Sequence, residues 1–143
     1  MPVDEKFQLV VARTDDIMAA RMRGRAFALA LGFGLPDAIL IATAIAELTR
    51  NILTYAAPGT LGVRRIEDRR RSGRIGLTIR ARDRGPGIAD VQRALLGGYS
   101  TSGKLGMGLS GVRRIMDNVT VKTAAGEGTT VTATKWLSLR APP

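Results

Sequence analysis

The sequence predicts an α+β two-layer sandwich: one mixed, mostly antiparallel sheet covered by helices on one face. Three observations lead there. Strand-like and helix-like segments follow the order βαα-ββ-loop-α-ββ, clustered rather than alternating. Ile41, Ile45, Leu48, Ile52 and Tyr55 recur at helical spacing, so one long helix has a continuous apolar stripe that must be buried. The 143 residues, 45% of them hydrophobic, fit one domain with a true core and are too apolar for a disordered chain. The predicted domain spans residues 1–137, and 138–143 form a loose tail.

Phe7–Val11 is a short β-prone run. Asp15 or Asp16 can cap the helix that follows, which runs from about Ile17 to Leu31 and stops at Gly32. The segment 32–37 is a loop, and a second helix extends from near Asp37 to Tyr55, ended by Ala57-Pro58-Gly59. Leu61–Ile66 and Ile75–Ala81 are β-prone and flank a charged hairpin loop containing Ser72-Gly73. The glycine-rich stretch 85–111 is a loop, followed by a short helix over about Leu109–Met116. Two final strands, Val119–Thr123 and Thr129–Trp136, flank Ala125-Gly126-Glu127-Gly128.

Composition excludes several chemistries. The chain has no cysteine, hence no disulfide, thiol nucleophile or thiolate metal site. It has no histidine, which removes the commonest general base, the Ser-His-Asp triad and most zinc sites. Carboxylates, amides, hydroxyls, backbone groups and cations must do the work. The N-terminus lacks the basic-then-apolar order of a signal peptide, and no run of ~18 or more apolar residues is apparent, so a cytoplasmic location without membrane contact is expected. The net charge is +10, with nine arginines between positions 60 and 84. Such a patch suits an acidic partner, and equally a solvated hairpin. No aromatic residues are interleaved there, so nucleic acid is not expected.

Four short motifs remain. In Glu47-Leu48-Thr49-Arg50-Asn51, residues 47 and 51 share a helix face. An amide oxygen is a hard ligand suited to Mg²⁺, and a nearby carboxylate can orient water or accept a hydroxyl proton. An ordinary solvated Glu–Asn pair has the same appearance. Asp83-Arg84-Gly85-Pro86-Gly87 follows a strand; its carboxylate can accept an adenine amine while Gly85 and Gly87 permit close approach. A plain turn is the alternative. The stretch 100–111 contains Gly106-x-Gly108-x-x-Gly111 leading into a helix, whose amides can cradle phosphate. Neither a Rossmann unit nor a Walker A loop fits, because the glycines come late and Gly103-Lys104 is followed by leucine. Gly126-Glu127-Gly128-Thr129 is a hairpin turn, or a turn that places the Thr129 hydroxyl near an adenine. Coincidence would have to produce all four in one order.

That order, Glu-x-x-x-Asn, Asp-x-Gly-x-Gly, a Gly-x-Gly lid and Gly-Thr, resembles the GHKL ATPases with their Bergerat fold. Within them it is most similar to the RsbT family of serine/threonine kinases, over about Asp16 to Leu137. The pieces at 30–34, 43–51, 99–103, 126–129 and 135–137 are the most specific. The resemblance implies ATP and Mg²⁺ as cofactors. Asn51 is then the Mg²⁺ ligand, Glu47 the base or water-orienting residue and Asp83 the adenine-reading carboxylate, with Gly85 and Gly87 shaping its pocket. Ser102, Gly103, Lys104, Gly106, Met107 and Gly108 form the lid over the triphosphate, and Thr129 is a second adenine contact. The family phosphorylates STAS-domain antagonist proteins in stress-signalling complexes, then binds and activates a PPM-type phosphatase. Departures are Lys104 in place of a glycine, Ser110 in place of a proline, and the arginine-rich hairpin at 67–74.

Rival readings are an anti-sigma factor kinase that sequesters a sigma factor, a non-catalytic ATP-binding adaptor and, from charge alone, a nucleic-acid module. A topoisomerase or chaperone is not expected without a transducer or dimerisation domain, nor a complete histidine kinase without its phosphoacceptor.

Overall fold

The computed structural model describes residues 5–71, 73–87 and 105–137. Its elements are β1 (Lys6–Val11), α1 (Asp15–Leu31), α2 (Leu35–Tyr55), β2 (Gly59–Asp68), a 3₁₀ turn (Arg69–Arg71), β3 (Arg74–Asp83), α3 (Leu105–Ile115), β4 (Asn118–Ala124) and β5 (Gly128–Trp136). The five strands form one sheet in the order β1-β2-β3-β5-β4. Every ladder between them is antiparallel. The sheet is therefore not mixed, as the element order had suggested. The chain does return parallel to β3 after α3, but as β4, one place too far away. β5 lies antiparallel between them, so no parallel ladder forms.

Strand residues alternate between faces. Val11, Leu61, Val63, Leu77, Ile79, Ala81, Val131 and Ala133 point one way and are buried beneath the helices. From α2 they meet Ile41, Ile45, Leu48 and Ile52, all buried, while Tyr55 is half-buried. α3 contributes Leu109 and Val112, Met116 follows directly after it, and α1 contributes Ala20, Phe27 and Ala28. Burying each large aliphatic side chain is worth about 1.5–3 kcal/mol. By length and composition α2 could also cross a membrane, with a mean hydropathy of 1.2 over its most apolar window, contrary to the absence of such a run expected from sequence. Half of that window is buried inside the protein, as the central core helix requires.

Local chemistry explains the helix ends. α1 begins after Thr14, which makes no capping bond. Asp16 is not a cap; its carboxylate accepts the amides of Ala12 at 2.9 Å and Arg13 at 2.8 Å, binding the β1–α1 connection. Those two bonds favour the charged form and lower the Asp16 pKa below its ordinary value. α1 ends at Gly32, whose φ of 112° places it in the left-handed region. α2 starts with Pro36 in its first turn, two residues earlier than expected. Gly24 brings the two helices together, since a Cβ there would collide with Ile45. At the other end of the layer, Lys135 of β5 donates to the Ile115 carbonyl at 2.9 Å, capping α3 from the sheet.

Candidate nucleotide-binding site

The C-terminal half of α2, the first turn of α3 and the adjoining ends of β3, β4 and β5 place most of the described motif residues in one region. On α2, Thr49 turns inward and its hydroxyl donates to the Ile45 carbonyl at 2.7 Å. Glu47 and Asn51 lie on a shared helical face. Glu47 Oε1 accepts from Arg50 Nη1 at 2.6 Å. Arg50 carried no signal of its own in the sequence, because a cation three residues from a glutamate on a helix is common.

Asn51 has a different environment. Its Nδ2 is buried and has no hydrogen-bond partner among the described residues. It abuts Gly108: a Cβ at Gly108 would stand 3.0 Å from Asn51 Nδ2 and 3.1 Å from Oδ1. Gly106 and Gly108 lie inside α3, where the sequence suggested a lid loop. A helix start at Leu105 rather than Leu109 puts them in its first turn, whose amides lack intrahelical acceptors. An orphaned Nδ2 donor beside such a turn fits an oxyanion, and Oδ1 is the atom of this side chain that could face a cation. Among the described residues no group of three or more His, Cys, Asp or Glu side chains could cage a metal. The donors suit Mg²⁺ shared between one amide side chain and a phosphate-bearing ligand, rather than an all-protein metal cage. Ser102, Gly103 and Lys104 lie outside the described residues, as does the side chain of Met107.

Asp83 ends β3 opposite Thr129 of β5, both on the helix-covered face. Asp83 Oδ1 accepts the amides of Gly85 at 2.9 Å and Thr129 at 3.2 Å, while Oδ2 has no described partner. The carboxylate is thus held from behind with one oxygen left to accept. Thr129 is buried, its hydroxyl 2.9 Å from that of Thr123. Thr123 also donates to the Gly128 carbonyl at 3.3 Å, a supporting role that the sequence reading missed. The glycines are needed for close approach. A Cβ on Gly85 would strike Ala56, at the end of α2. Gly87, at φ +88°, would press a Cβ to 2.8 Å from the Ala124 carbonyl oxygen. Gly128, at φ +102°, would drive one into the Asp83 carbonyl. The Gly85–Ala56 contact joins the Asp83 corner to the helix end one turn beyond Asn51.

Residues 36–139 match the family model of histidine kinase-, DNA gyrase B- and HSP90-like ATPases. The chain is 51% identical over 122 residues to the serine/threonine-protein kinase RsbT of Bacillus subtilis, covering 85% of this chain and 90% of that one. The chain belongs to the RsbT-type kinases of the GHKL ATPase family. A second relative of this chain, an anti-sigma F factor of Caldanaerobacter subterraneus, is 31% identical over 82% of this chain and 83% of its own length. Among solved structures, the SiaB–SiaC complex from Pseudomonas aeruginosa contains a chain of similar fold. The TM-score is 0.55 at 14% identity, covering 92% of this chain and 89% of that one.

Proposed function

We propose that this RsbT-type kinase transfers the γ-phosphoryl group of ATP to a serine or threonine of a STAS-domain antagonist protein and, once released, binds and activates a PPM-type phosphatase. The observation that carries the nucleotide part is the buried, unpartnered amide of Asn51 against the first turn of α3. In this reading Asn51 would hold Mg²⁺ through Oδ1 while its Nδ2 donates to a phosphate oxygen, and the α3 amides meet phosphate oxygens together with Ser102, Gly103, Lys104, Gly106, Met107 and Gly108. Asp83 accepts the adenine amine through Oδ2. Thr129 adds its hydroxyl, and Gly85 and Gly87 keep the wall thin enough for the base to approach.

Bound Mg²⁺ supplies charge neutralisation on the phosphates. The protein residues supply positioning. The acceptor hydroxyl oxygen bonds to the γ-phosphorus, the bond to the ADP oxygen breaks, and Glu47 takes the hydroxyl proton. A chain lacking histidine can do this because phosphoryl transfer requires placement more than a covalent catalyst. The salt bridge with Arg50 fixes one Glu47 oxygen and leaves the other for that proton. Action in the cytoplasm follows from partners of this class.

The direct experiment is transfer of labelled γ-phosphate from Mg·ATP to a panel of STAS-domain proteins from the same genome. Label on a serine or threonine is expected, lost in both Asn51→Ala and Asp83→Asn. Absence of ATP binding by the wild-type protein would overturn the nucleotide site. ATP binding without transfer would remove the kinase assignment in favour of an adaptor. A second reading, an anti-sigma factor kinase, draws on the anti-sigma F relative. Co-purification of a sigma factor instead of a STAS protein or phosphatase would select it.

A further inference from the structure

The face of the sheet away from the helices carries a charge pattern that the kinase site does not use. Its outward residues lie in register across the strands. One row runs Val10–Thr60–Arg82–Thr130–Lys122, the next Gln8–Gly62–Arg80–Thr132–Thr120, and the third Lys6–Arg64–Thr78–Thr134–Asn118. Lys6, Arg64, Arg80, Arg82 and Lys122 are all exposed. None of the five forms an ion pair with a described residue. The three rows contain no carboxylate. Asp68, further along this face, is already bridged to Arg74 at 3.6 Å.

We propose that this face docks an acidic protein, with those five cations as its contacts. Lys6 stands directly opposite Arg64, and like charges so paired destabilise a sheet. An acidic surface would relieve that repulsion and match the field of the whole face. At one end the face dips into a cleft of about 760 Å³, where Arg82, Arg84 and Lys122 stand among threonines. Asp83 and Glu127 are the acids of its lining, so this end of the face adjoins the Asp83–Thr129 corner of the nucleotide site. Five strands at about 4.8 Å spacing give a platform roughly 20 Å wide and up to about 30 Å long. That is of the order of the ~800 Å² one partner contributes to a standard interface, and too broad for a single small anion. A second copy of this chain would bring five cations onto five. Nucleic acid is disfavoured because the three rows hold no aromatic side chain for base stacking. Trp136, at the far end, already lies beneath the Arg74 guanidinium, 4.1 Å from its ring centre.

The test uses the full chain and two probes, a labelled poly-L-glutamate of about 20 residues and the oligonucleotide dT20, chosen to match in length. Two triple variants carry the same change in net charge: R64E/R80E/R82E on the open face, and R21E/R25E/R114E on exposed helix positions. The face variant is expected to weaken poly-L-glutamate binding at least about tenfold and the helix variant less than about threefold, with wild-type thermal stability in both. ATP affinity is compared in the double variant R64E/R80E, which leaves out Arg82 because that residue shares a cleft with Asp83 and Thr129, and should equal wild type, so failure here is distinguishable from failure of the kinase reading. Equal losses in the two variants would reduce the face to bulk charge and overturn the proposal. So would tighter binding of dT20 that disappears with the face variant, or no poly-L-glutamate binding at low salt.

Discussion

The two faces of one sheet are built from the same five strands, yet they follow opposite rules. Beneath the helices β3 presents Leu77, Ile79 and Ala81, all buried; toward the open side it presents Thr78, Arg80 and Arg82. Because the side-chain period is two, each residue of register serves one face or the other. The covered face derives its stability from close packing. The open face contributes little to that core and is free to carry charge. Asp83 and Thr129, proposed above as adenine contacts, belong to the covered side, where the pattern of aliphatic residues gives way to polar ones at the strand end.

The sharpest break of that comparison is a matched pair of truncations. Ile79→Ala removes fully buried aliphatic volume and should cost about 2–5 kcal/mol in urea unfolding, whereas Thr132→Ala on the open face should stay within about 0.5 kcal/mol. Similar losses would mean that the open face is packed in solution. A smaller effect is expected at Gly76, an open-face position that is already crowded. A Cβ there would meet the Lys135 carbonyl and stand 2.8 Å from Trp136 Cε3. Gly76→Ala should cost roughly 1–3 kcal/mol through overpacking, although it adds only a methyl group.

The smallest effect concerns pH and lies outside both faces. Asp16 is charged while it accepts the Ala12 and Arg13 amides, so its folded pKa lies below its unfolded one. The associated stability is present above the ordinary aspartate range of about pH 4 and is lost as pH falls through the lowered folded value. Asp16→Ala should therefore flatten the acid limb of a melting-temperature profile slightly, with no change in the pH dependence contributed elsewhere. A profile identical to wild type below about pH 4 would show that these bonds do not persist in solution.

Much of this was legible because local chemistry and tertiary packing agreed. The apolar stripe of α2 follows from spacing alone, and four of its five predicted members are buried. The strands were found within one to two residues at most ends. Disagreement came where packing overrode propensity. Gly106 and Gly108 disfavour helix by about 1 kcal/mol each, which made a loop the natural expectation. Gly108 is tolerated in α3 because the missing Cβ makes room for Asn51. The arginines between 64 and 84 read as one patch along the chain. Pleating instead sends Arg64, Arg80 and Arg82 to the open face, while Arg69 and Arg70 occupy the turn at the hairpin tip.

The sequence by itself determined the element types, the buried stripe, the absence of thiol and imidazole chemistry, and the short motifs around Glu47, Asn51, Asp83 and Thr129. Those depend on residue type and on spacing within a few positions. Tertiary structure alone decided that β5 lies between β3 and β4, that Asp83 Oδ1 is held by the Thr129 amide 46 residues away, and that Asn51 rests on Gly108. Period-two and period-3.6 patterns tell a residue which side to face. They carry no information about which neighbour it will meet, because that is settled by the packing of the whole layer.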